Sequence, residues 1–232
     1  ILMSPAAFLA RPLRWLQGVS SYRATHTIAP NFAYQLCVDT IADAEVEKLD
    51  LSSLVSAASG AEAIRMKTVS AFAEKFSPAG FRYEQAAAAY GLAEIVVLAT
   101  ATKVVSGKEL SVLPPPADGN EQLNQDEDAR HRVAVSCGAV IDGHAMKIVD
   151  PQTCRVCSGN TIGEVWLSGP SVAAGYWNKP EETAATFRAR LADDPESGPW
   201  LRTGDLGAVA DGELYVLGRI KEMIIVRGRN HY

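Results

Sequence analysis

Over the first hundred residues, segments whose apolar residues recur at helical spacing alternate with short segments that have the pattern of a strand. Leu13, Leu16 and Val19 recur at helical spacing, and Pro12 before them suits a first turn. The same reasoning predicts the following elements in this region: a helix over Leu13–Tyr22, a strand-to-loop stretch over Thr25–Tyr34 that enters a helix, a short buried strand over Ser52–Gly60 and an amphipathic helix over Ile64–Phe76. This rhythm is typical of a parallel α/β sheet, so we predict an α/β subdomain over residues 1–102.

The periodic pattern dissolves over residues 103–132. Three consecutive prolines, Pro114 to Pro116, are followed by a polar tract over 118–132. Segments of this length without periodic signal are uncommon inside compact domains and usually carry function or disorder. We therefore predict an insertion that packs outside the main sheet.

Short strands dominate the remainder of the chain. The pattern predicts strands over Val133–Cys137, Ala145–Val149 and Gly163–Leu167, a helix that starts near Pro180 with Phe187 and Leu191 on one face, and a hairpin over Gly207–Val216 with its turn at Asp211-Gly212. Such spacing favours a small antiparallel or barrel-like unit over residues 133–217. Residues 218–232 are then expected to form a hinge and the start of a further domain. Because the chain starts without Met and stops directly after an apolar strand, we expect it to be a fragment.

Composition excludes several classes of protein. A net charge of -5 and a sequence pI near 5.4 disfavour nucleic-acid binding, which depends on clustered Lys and Arg. The apolar runs are too short to form a transmembrane segment of about 20 residues. The first residues lack the basic region and cleavage site of a secretory signal, so a cytoplasmic location is expected.

Four cysteines are too few for a disulfide scaffold. Cys154 and Cys157 have the spacing of half a zinc site, but a closed tetrahedral site needs two further ligands, usually another close pair. The sequence has no second pair, so a surface turn that carries two thiols is favoured over metal or redox chemistry.

The pentapeptide Tyr90-Gly91-Leu92-Ala93-Glu94 carries candidate chemistry. An aromatic ring can stack on a purine, a glycine lets the backbone approach a phosphate, and a carboxylate can hold Mg²⁺ through its oxygens. The alternative is a packed turn with a surface glutamate.

Two further groups of residues lie at strand ends. Asp205 follows a Thr-Gly turn and Arg219 follows a glycine, an arrangement that suits a grip on the two hydroxyls of a ribose. Asp205 could instead be a turn residue, and Lys221 an ordinary exposed lysine. Gly60-Ala61-Glu62 ends a predicted strand before a helix, where ligands gather in open α/β sheets.

These blocks, in this order and spacing, resemble the adenylate-forming enzymes, and the chain is most similar to the fatty acyl-AMP ligases among them. The resemblance to that subgroup includes Ala93 in place of the usual threonine and the insertion over 103–132. It also extends to Arg14-Trp15-Leu16, Tyr22-Arg23-Ala24-Thr25 and the final residues Gly228–Tyr232.

The resemblance implies a role for each block. It assigns metal binding to Glu94, a domain hinge to Lys221, nucleotide binding to Gly60, Ala61, Glu62, Tyr90, Gly91, Leu92, Ala93, Asp205 and Arg219, and the acyl pocket to Asn31, Phe32, Ala33 and Tyr34. An apolar aromatic wall with one amide fits the carboxylate end of a long chain. Phe32 could equally belong to the core.

The implied activity is ATP- and Mg²⁺-dependent conversion of a fatty acid to acyl adenylate and pyrophosphate. The acyl group would then pass to the phosphopantetheine thiol of an acyl carrier protein in lipid, polyketide or nonribosomal peptide biosynthesis. A phosphate loop is expected before Ile1 and a catalytic lysine after Tyr232, so no ligation is expected from this chain alone. Two alternatives stay open: an acyl-CoA ligase with a lengthened loop, and a catalytically dead adenylate-binding scaffold.

Overall fold

The computed structural model describes residues 2–102, 109–112, 132–158, 161–222, 224–226 and 229–231. These residues form two compact units. Residues up to 89, together with residue 102, belong to the first unit, and residues 90–101 with those from 109 onward belong to the second. The sequence-based boundaries at 102, 132 and 217 stay predictions.

Helices cover a short parallel sheet in the first unit. The helices are α1 (Pro5–Ala10), α2 (Leu13–Tyr22), α3 (Asn31–Thr40), α4 (Asp43–Val46) and α5 (Met66–Phe76), and the strands are β1 (His26–Ala29), β2 (Ser56–Ser59) and β3 (Ala86–Tyr90). The strand order is β1-β2-β3, and both pairings are parallel. The prediction of a parallel α/β layer is confirmed.

The element boundaries differ modestly from the predicted ones. Helix α5 begins at Met66 and not at Ile64, because Arg65 is extended and its N–H donates to the Asn31 side chain. Strand β2 is shorter than predicted at its start, where the Asp50 carboxylate accepts from the backbone and hydroxyl of Ser52 and holds a turn.

Aromatic side chains form the centre of the first unit. The ring of Phe72 meets Tyr34 and Phe81 edge-on at centroid distances of 5.0 and 5.1 Å, and it lies 4.4 Å from the Phe76 ring. Phe72 and Phe76 project from α5 one helical turn apart and are fully buried. This packing fixes α5 against α3, which carries Tyr34.

The second unit is built from short antiparallel pairings. Its strands are β4 (Thr100–Ala101), β5 (Glu109–Val112), β6 (Arg132–Val135), β7 (Ala139–Val140), β8 (Ala145–Val149), β9 (Gly163–Ser168), β10 (Leu201–Ala210), β11 (Glu213–Arg219), β12 (Ile224–Val226) and β13 (Arg229–His231). Four of them form a sheet in the order β11-β10-β9-β8, and three pairs, β4–β7, β5–β6 and β12–β13, are also antiparallel. Within the described ranges the four-stranded sheet is open, so the antiparallel alternative is confirmed and the barrel-like one is not.

One strand lies within the segment that shows no periodic apolar signal and was predicted to be an insertion. Glu109–Val112 pairs with Arg132–Val135. Its polar–apolar alternation extends over only four residues and stops shortly before the three prolines, which is why it did not stand out as a strand. The other residues of 103–132 lie outside the described ranges, and their packing outside the main sheet stays a prediction.

Helix α6 (Pro180–Phe187) starts at the predicted proline but ends before Leu191. The prediction that Leu191 shares its helical face is therefore wrong. Beyond the helix, Ala189 exchanges backbone hydrogen bonds with Trp200, which draws the chain into an extended path. Leu191 is buried in the cluster that contains Trp166 and Trp200.

The predicted hairpin is confirmed. Ala210 pairs with Glu213, and the two turn residues, Asp211 and Gly212, have φ values of 52° and 78°. Positive φ at both positions is what a tight Asp-Gly hairpin requires. Across the described ranges, every helix is too short or too polar to traverse a lipid bilayer.

Candidate active site

Asp205 is the centre of a hydrogen-bonded group in the second unit. Its Oδ2 accepts from the Tyr90 hydroxyl at 2.7 Å, and its Oδ1 accepts from Arg219 Nε at 3.0 Å. Tyr90 and Asp205 are buried, whereas the Arg219 side chain is 60% exposed. The structure thus brings together three residues that the sequence had assigned to one nucleotide site.

A bulge in β10 presents Asp205. Arg202 is paired with Trp166 and Leu206 with Glu164, so three residues of β10 lie opposite one residue of β9. Gly204 lies within the bulge at φ +72°, a conformation that favours glycine. Bulges often re-aim a side chain, and this one occurs where Asp205 faces Tyr90.

Side chains satisfy the backbone of the bulge. Thr203 Oγ1 donates to the Val165 carbonyl at 2.7 Å and accepts from the Asp205 N–H at 3.1 Å. The Gly204 N–H donates to Glu164 Oε1 at 3.0 Å. The bulge therefore has its own set of partners although the ladder is interrupted there.

Glu164 was not singled out by the sequence pattern. Its carboxylate is 2% exposed, and Oε2 accepts from Trp166 Nε1 at 2.9 Å and from Arg202 Nη2 at 2.7 Å. Arg202 Nε donates to the same oxygen at 2.9 Å, and its guanidinium lies 5.4 Å from the centroid of the Trp166 ring. A charged residue inside the strongly apolar run Gly163–Leu167 is the signal that could have revealed it.

Gly91 allows a close backbone approach directly after Tyr90. A Cβ at this position would lie 1.5 Å from the Val97 carbonyl oxygen. The Tyr90 carbonyl accepts from the Ala99 N–H at 2.9 Å, which closes a compact loop. Leu92 is half-buried and Ala93 exposed on this loop, and a single 3₁₀ turn over Ala93–Ile95 presents Glu94.

Residues 171–176 hold the turn that carries Glu94, a contact that the sequence analysis did not predict. The Tyr176 hydroxyl donates to Glu94 Oε1 at 2.6 Å, and the Ala173 N–H donates to the Glu94 carbonyl at 2.8 Å. Ser171 Oγ donates to the Ile95 carbonyl at 3.1 Å. Three contacts thus fasten the 171–176 segment to the turn that carries the carboxylate.

The two tyrosines of the site are both held in the protonated form. Burial and the neighbouring Asp205 carboxylate raise the pKa of Tyr90. The hydrogen bond to Glu94, together with partial burial, raises the pKa of Tyr176 to about 12. Each hydroxyl therefore acts as a donor to its carboxylate at neutral pH.

In this part of the structure, Glu94 supplies one carboxylate that a divalent cation would bind. Among the described residues there is no group of three or more His, Cys, Asp or Glu side chains placed to hold a metal ion. Mg²⁺ is commonly bound through one or two carboxylates together with substrate phosphates and water. The partly exposed carboxylate of Glu94 fits that limited role.

The remaining predicted nucleotide residues lie in the first unit, at the end of β2. A Cβ on Gly60 would lie 2.7 Å from the Ala89 carbonyl oxygen, so only glycine permits this approach. Ala61 has a left-handed φ of 66°, which is uncommon for alanine. Glu62 Oε1 accepts from the Phe32 N–H at 2.5 Å, at the first turn of α3.

Residues Asn31–Tyr34, predicted to form the acyl pocket, divide between two environments. Asn31 and Tyr34 are buried and line a cavity, Ala33 is buried, and Phe32 is 49% exposed. The Tyr34 hydroxyl donates to the Ala58 carbonyl at 2.9 Å. The cavity is otherwise mostly apolar, and its other lining residues are Ala57, Ser59, Thr68, Val69, Phe72, Phe81, Ala86 and Ala87.

Lys221, the predicted hinge residue, lies in a 3₁₀ turn directly after β11 and is exposed. It is two residues beyond Arg219, the last residue of that strand. Its hinge role stays a prediction.

Comparison with known proteins identifies close relatives of the whole chain. The chain is 46% identical to the medium-chain-fatty-acid–[acyl-carrier-protein] ligase JamA of Moorena producens and 41% identical to the putative fatty-acid–CoA ligase FadD21 of Mycobacterium tuberculosis. Each alignment covers all of this chain and 40% of the relative. The chain therefore spans about two fifths of the length of these relatives.

A solved structure matches the fold at similar sequence identity. The fatty acyl-adenylate ligase of Legionella pneumophila in complex with acyl adenylate and pyrophosphate has a TM-score of 0.82 and 41% identity, over 95% of this chain and 38% of that one. The sequence model of the family described as AMP-binding enzyme matches residues 1–177. The resemblance to adenylate-forming enzymes is thereby confirmed, and the chain belongs to the AMP-binding enzyme family.

Proposed function

We propose that the full protein containing this chain is a fatty acyl-AMP ligase. A fatty acid carboxylate oxygen attacks the α-phosphorus of ATP, the bond from that phosphorus to the bridging oxygen breaks, and pyrophosphate leaves. The product is a mixed anhydride between the acid and AMP. Support comes from JamA and from the Legionella enzyme, whose complex holds an acyl adenylate and pyrophosphate.

The arrangement around Asp205 carries this proposal. Each carboxylate oxygen of Asp205 has one protein donor, from Tyr90 or Arg219, and each has a second lone pair for a ligand hydroxyl. A ribose presents two adjacent hydroxyls that match a bidentate acceptor. Tyr90 and Arg219 hold the carboxylate from two sides, so little reorganisation is needed when the sugar binds.

Glu94 would hold Mg²⁺ in this reaction. When bound, the ion would neutralise charge on the phosphate oxygens and help to orient the triphosphate. This chain contributes the carboxylate, its placement on the turn after Gly91 and the hydrogen bond from Tyr176. No covalent intermediate with the protein is required, because positioning and charge neutralisation suffice for this type of transfer.

The apolar surroundings of Asn31–Tyr34 in the first unit favour a hydrocarbon substrate. Most of the cavity lining is apolar, and its walls include the aromatic rings of Tyr34, Phe72 and Phe81. A hydrocarbon chain gains free energy by leaving water for such surroundings, at about 25 cal/mol for each Å² of apolar surface buried. The cavity itself has room for about one water molecule, so we propose that the acyl chain lies against Asn31–Tyr34 and not within the packed centre of the unit.

The acceptor of the acyl group separates two candidate functions. JamA is a ligase that acts on an acyl carrier protein, whereas FadD21 carries the name of a putative CoA ligase. We propose the carrier-protein thiol as the acceptor, because the region 103–132 has the length and place of the segment that distinguishes the fatty acyl-AMP ligases. A CoA ligase is the second candidate.

A two-stage assay on the full-length protein tests both steps. We expect pyrophosphate release from ATP that depends on a fatty acid and on Mg²⁺, followed by transfer of the acyl group to a phosphopantetheinylated carrier protein in preference to free coenzyme A. Absence of the first step in a folded full-length protein would contradict the adenylation proposal and favour the scaffold. Efficient acyl-CoA formation would contradict the acceptor assignment alone.

A further inference from the structure

The carboxylate of Glu164 is buried at the base of the β10 bulge. It receives four hydrogen bonds: from Trp166 Nε1, from Arg202 Nε and Nη2, and from the Gly204 N–H. Oε2 takes three of these donors, and Oε1 takes the Gly204 N–H alone. Because the side chain is 2% exposed and enclosed by these donors, we assign Glu164 no direct contact with a ligand.

The position of a buried carboxylate in an apolar strand calls for a structural explanation. Burying a charge is costly unless it is paired and hydrogen-bonded, and β9 is otherwise an apolar strand. Its partner Arg202 is 32% exposed and lies over the Trp166 ring, so the ion pair has one side toward water. The contact with the Gly204 N–H is the one that links the carboxylate to the backbone of the bulge beside Asp205.

That contact fixes the path of the bulge. Gly204 immediately precedes Asp205, and both its neighbours are held: Thr203 by the Val165 carbonyl, and Asp205 by the Thr203 hydroxyl and by Arg219. Glycine at φ +72° is the conformationally freest residue of the three. Without an acceptor for its N–H, the Gly204 peptide would lose the interaction that orients it.

We propose that Glu164 is a positioning residue for Asp205, acting through the Gly204 peptide and Arg202. This inference rests on the proposed function, because it takes Asp205 as the ribose-binding group. Glu164 Oε1 accepts from the Gly204 N–H, and the next peptide bond joins Gly204 to Asp205. The Asp205 carboxylate in turn accepts from the Tyr90 hydroxyl at 2.7 Å. A small displacement of this peptide moves the Asp205 carboxylate relative to Tyr90 and to a bound sugar.

The test compares Glu164→Gln with wild type in the full-length protein. The amide keeps the shape of the side chain but offers one acceptor oxygen, so the Gly204 and Arg202 donors compete for it. We expect the KM for ATP to rise about ten-fold, with kcat changed less than about three-fold, because loss of a charged hydrogen bond has roughly this effect on binding. Glu182→Gln, an exposed carboxylate on α6, is the matched control and should behave as wild type.

A double-mutant cycle distinguishes positioning from a general loss of structure. If Glu164 acts through Asp205, Glu164→Gln should raise the KM for ATP in the wild-type background and have little further effect in an Asp205→Asn background. A purely structural role would lower the thermal unfolding midpoint and leave the KM of the folded enzyme unchanged in both backgrounds. Either an unchanged KM or fully additive effects would overturn the proposal.

A second variant covers the case in which Glu164→Gln fails to fold. Arg202→Lys keeps the positive charge beside Glu164 but removes the two-pronged contact, and we expect a smaller rise in the KM for ATP that is also lost in the Asp205→Asn background. A KM equal to that of wild type in a folded Arg202→Lys enzyme would contradict the proposal. Failure of the proposed function has a separate signature, since then Asp205→Asn itself would leave ATP kinetics unchanged.

Discussion

The Tyr90 hydroxyl donates to the Asp205 carboxylate at 2.7 Å across 115 positions of sequence. This bond joins the loop that carries Glu94 to the bulge of β10 that carries Asp205. Tyr90→Phe should leave the ring in place and remove one of the two donors to the buried carboxylate. We expect the KM for ATP to rise about ten-fold, which corresponds to the lower end, about 1.5 kcal/mol, of what a hydrogen bond to a charged group contributes.

Steady-state ATP kinetics of the full-length enzyme check this prediction. Tyr22→Phe is a suitable control because the Tyr22 side chain is largely exposed at the end of α2, far along the chain from the loop. Equal KM values for wild type and Tyr90→Phe would show that Arg219 alone orients Asp205.

Asp205→Ala should have a larger effect than Tyr90→Phe. It removes the bidentate acceptor proposed for the ribose and leaves the Tyr90 hydroxyl without its partner. Loss of such charged hydrogen bonds costs about 1.5 to 4 kcal/mol, which corresponds to a fall in adenylation efficiency of roughly ten- to a thousand-fold. The measurement is kcat/KM for ATP, and ordinary kinetics in a folded variant would make Asp205 a bulge residue only.

Much of this site could be predicted from sequence because its residues lie in short contiguous blocks. Tyr90–Glu94 and Thr203–Asp205 each combine residue types with recognisable chemistry. Glu164 and Tyr176 were missed, since each acts through a contact with a residue that is distant in sequence. A local pattern carries no information about which distant backbone N–H or carboxylate such a side chain will meet.

The secondary structure was likewise predicted well where local sequence determines it and less well where contacts with distant residues determine it. Helix α2 and strand β8 match their predicted bounds, because their apolar positions follow a clear period. Leu191 was assigned to the wrong element because the pairing of Ala189 with Trp200 ends the helical path, and no local signal marks it. Strand β5 was missed because its polar–apolar alternation covers only four residues, close to three consecutive prolines.

Tyr176→Phe tests the support of Glu94. The variant keeps the ring contact with Phe187, whose centroid lies 5.0 Å away, and removes the hydroxyl that donates to the carboxylate. We expect the Mg²⁺ concentration needed for half-maximal adenylation to rise about ten-fold, the lower end of the effect of losing a partner that supports a metal ligand. Saturating Mg²⁺ should restore kcat.

The pH dependence of this effect follows from the raised pKa of the hydroxyl. Because the pKa of Tyr176 is about 12, the group remains protonated at neutral and mildly alkaline pH. The ratio of half-saturating Mg²⁺ concentrations between variant and wild type should therefore be constant from about pH 6.5 to pH 9. A ratio that falls toward one across this range would mean that the hydroxyl loses its proton there.

Phe72→Ala should destabilise the first unit strongly. Phe72 is 2% exposed and contacts three other aromatic rings, so truncation leaves a cavity that costs about 3 to 5 kcal/mol. Phe32→Ala is the matched control, because Phe32 is 49% exposed and its loss should cost less than about 1 kcal/mol. Chemical denaturation of the full-length protein gives both values, and similar costs would contradict the assigned core.

We expect the segment between β5 and β6 to influence which thiol accepts the acyl group. If this segment restrains rotation of a further domain about Lys221, shortening it should raise acyl-CoA formation and leave adenylation largely unchanged. The structure refines where to cut: Val112 pairs with Arg132 at the end of the β5–β6 ladder, so replacing residues 113–131 by Asn-Gly keeps both strands. The proposed nucleotide residues all lie outside the deletion.

The expected result follows from population-shift reasoning. A segment that contacts only one domain orientation favours that orientation by its differential contact free energy, and removing about 1.4 kcal/mol of it changes the ratio of orientations ten-fold. We therefore expect coenzyme A use to rise by about that factor in the shortened enzyme, while transfer to the carrier protein persists. An enzyme that makes acyl-CoA equally well before and after the deletion would show that the segment does not select the acceptor, and adenylation by the same protein would still support the ligase assignment.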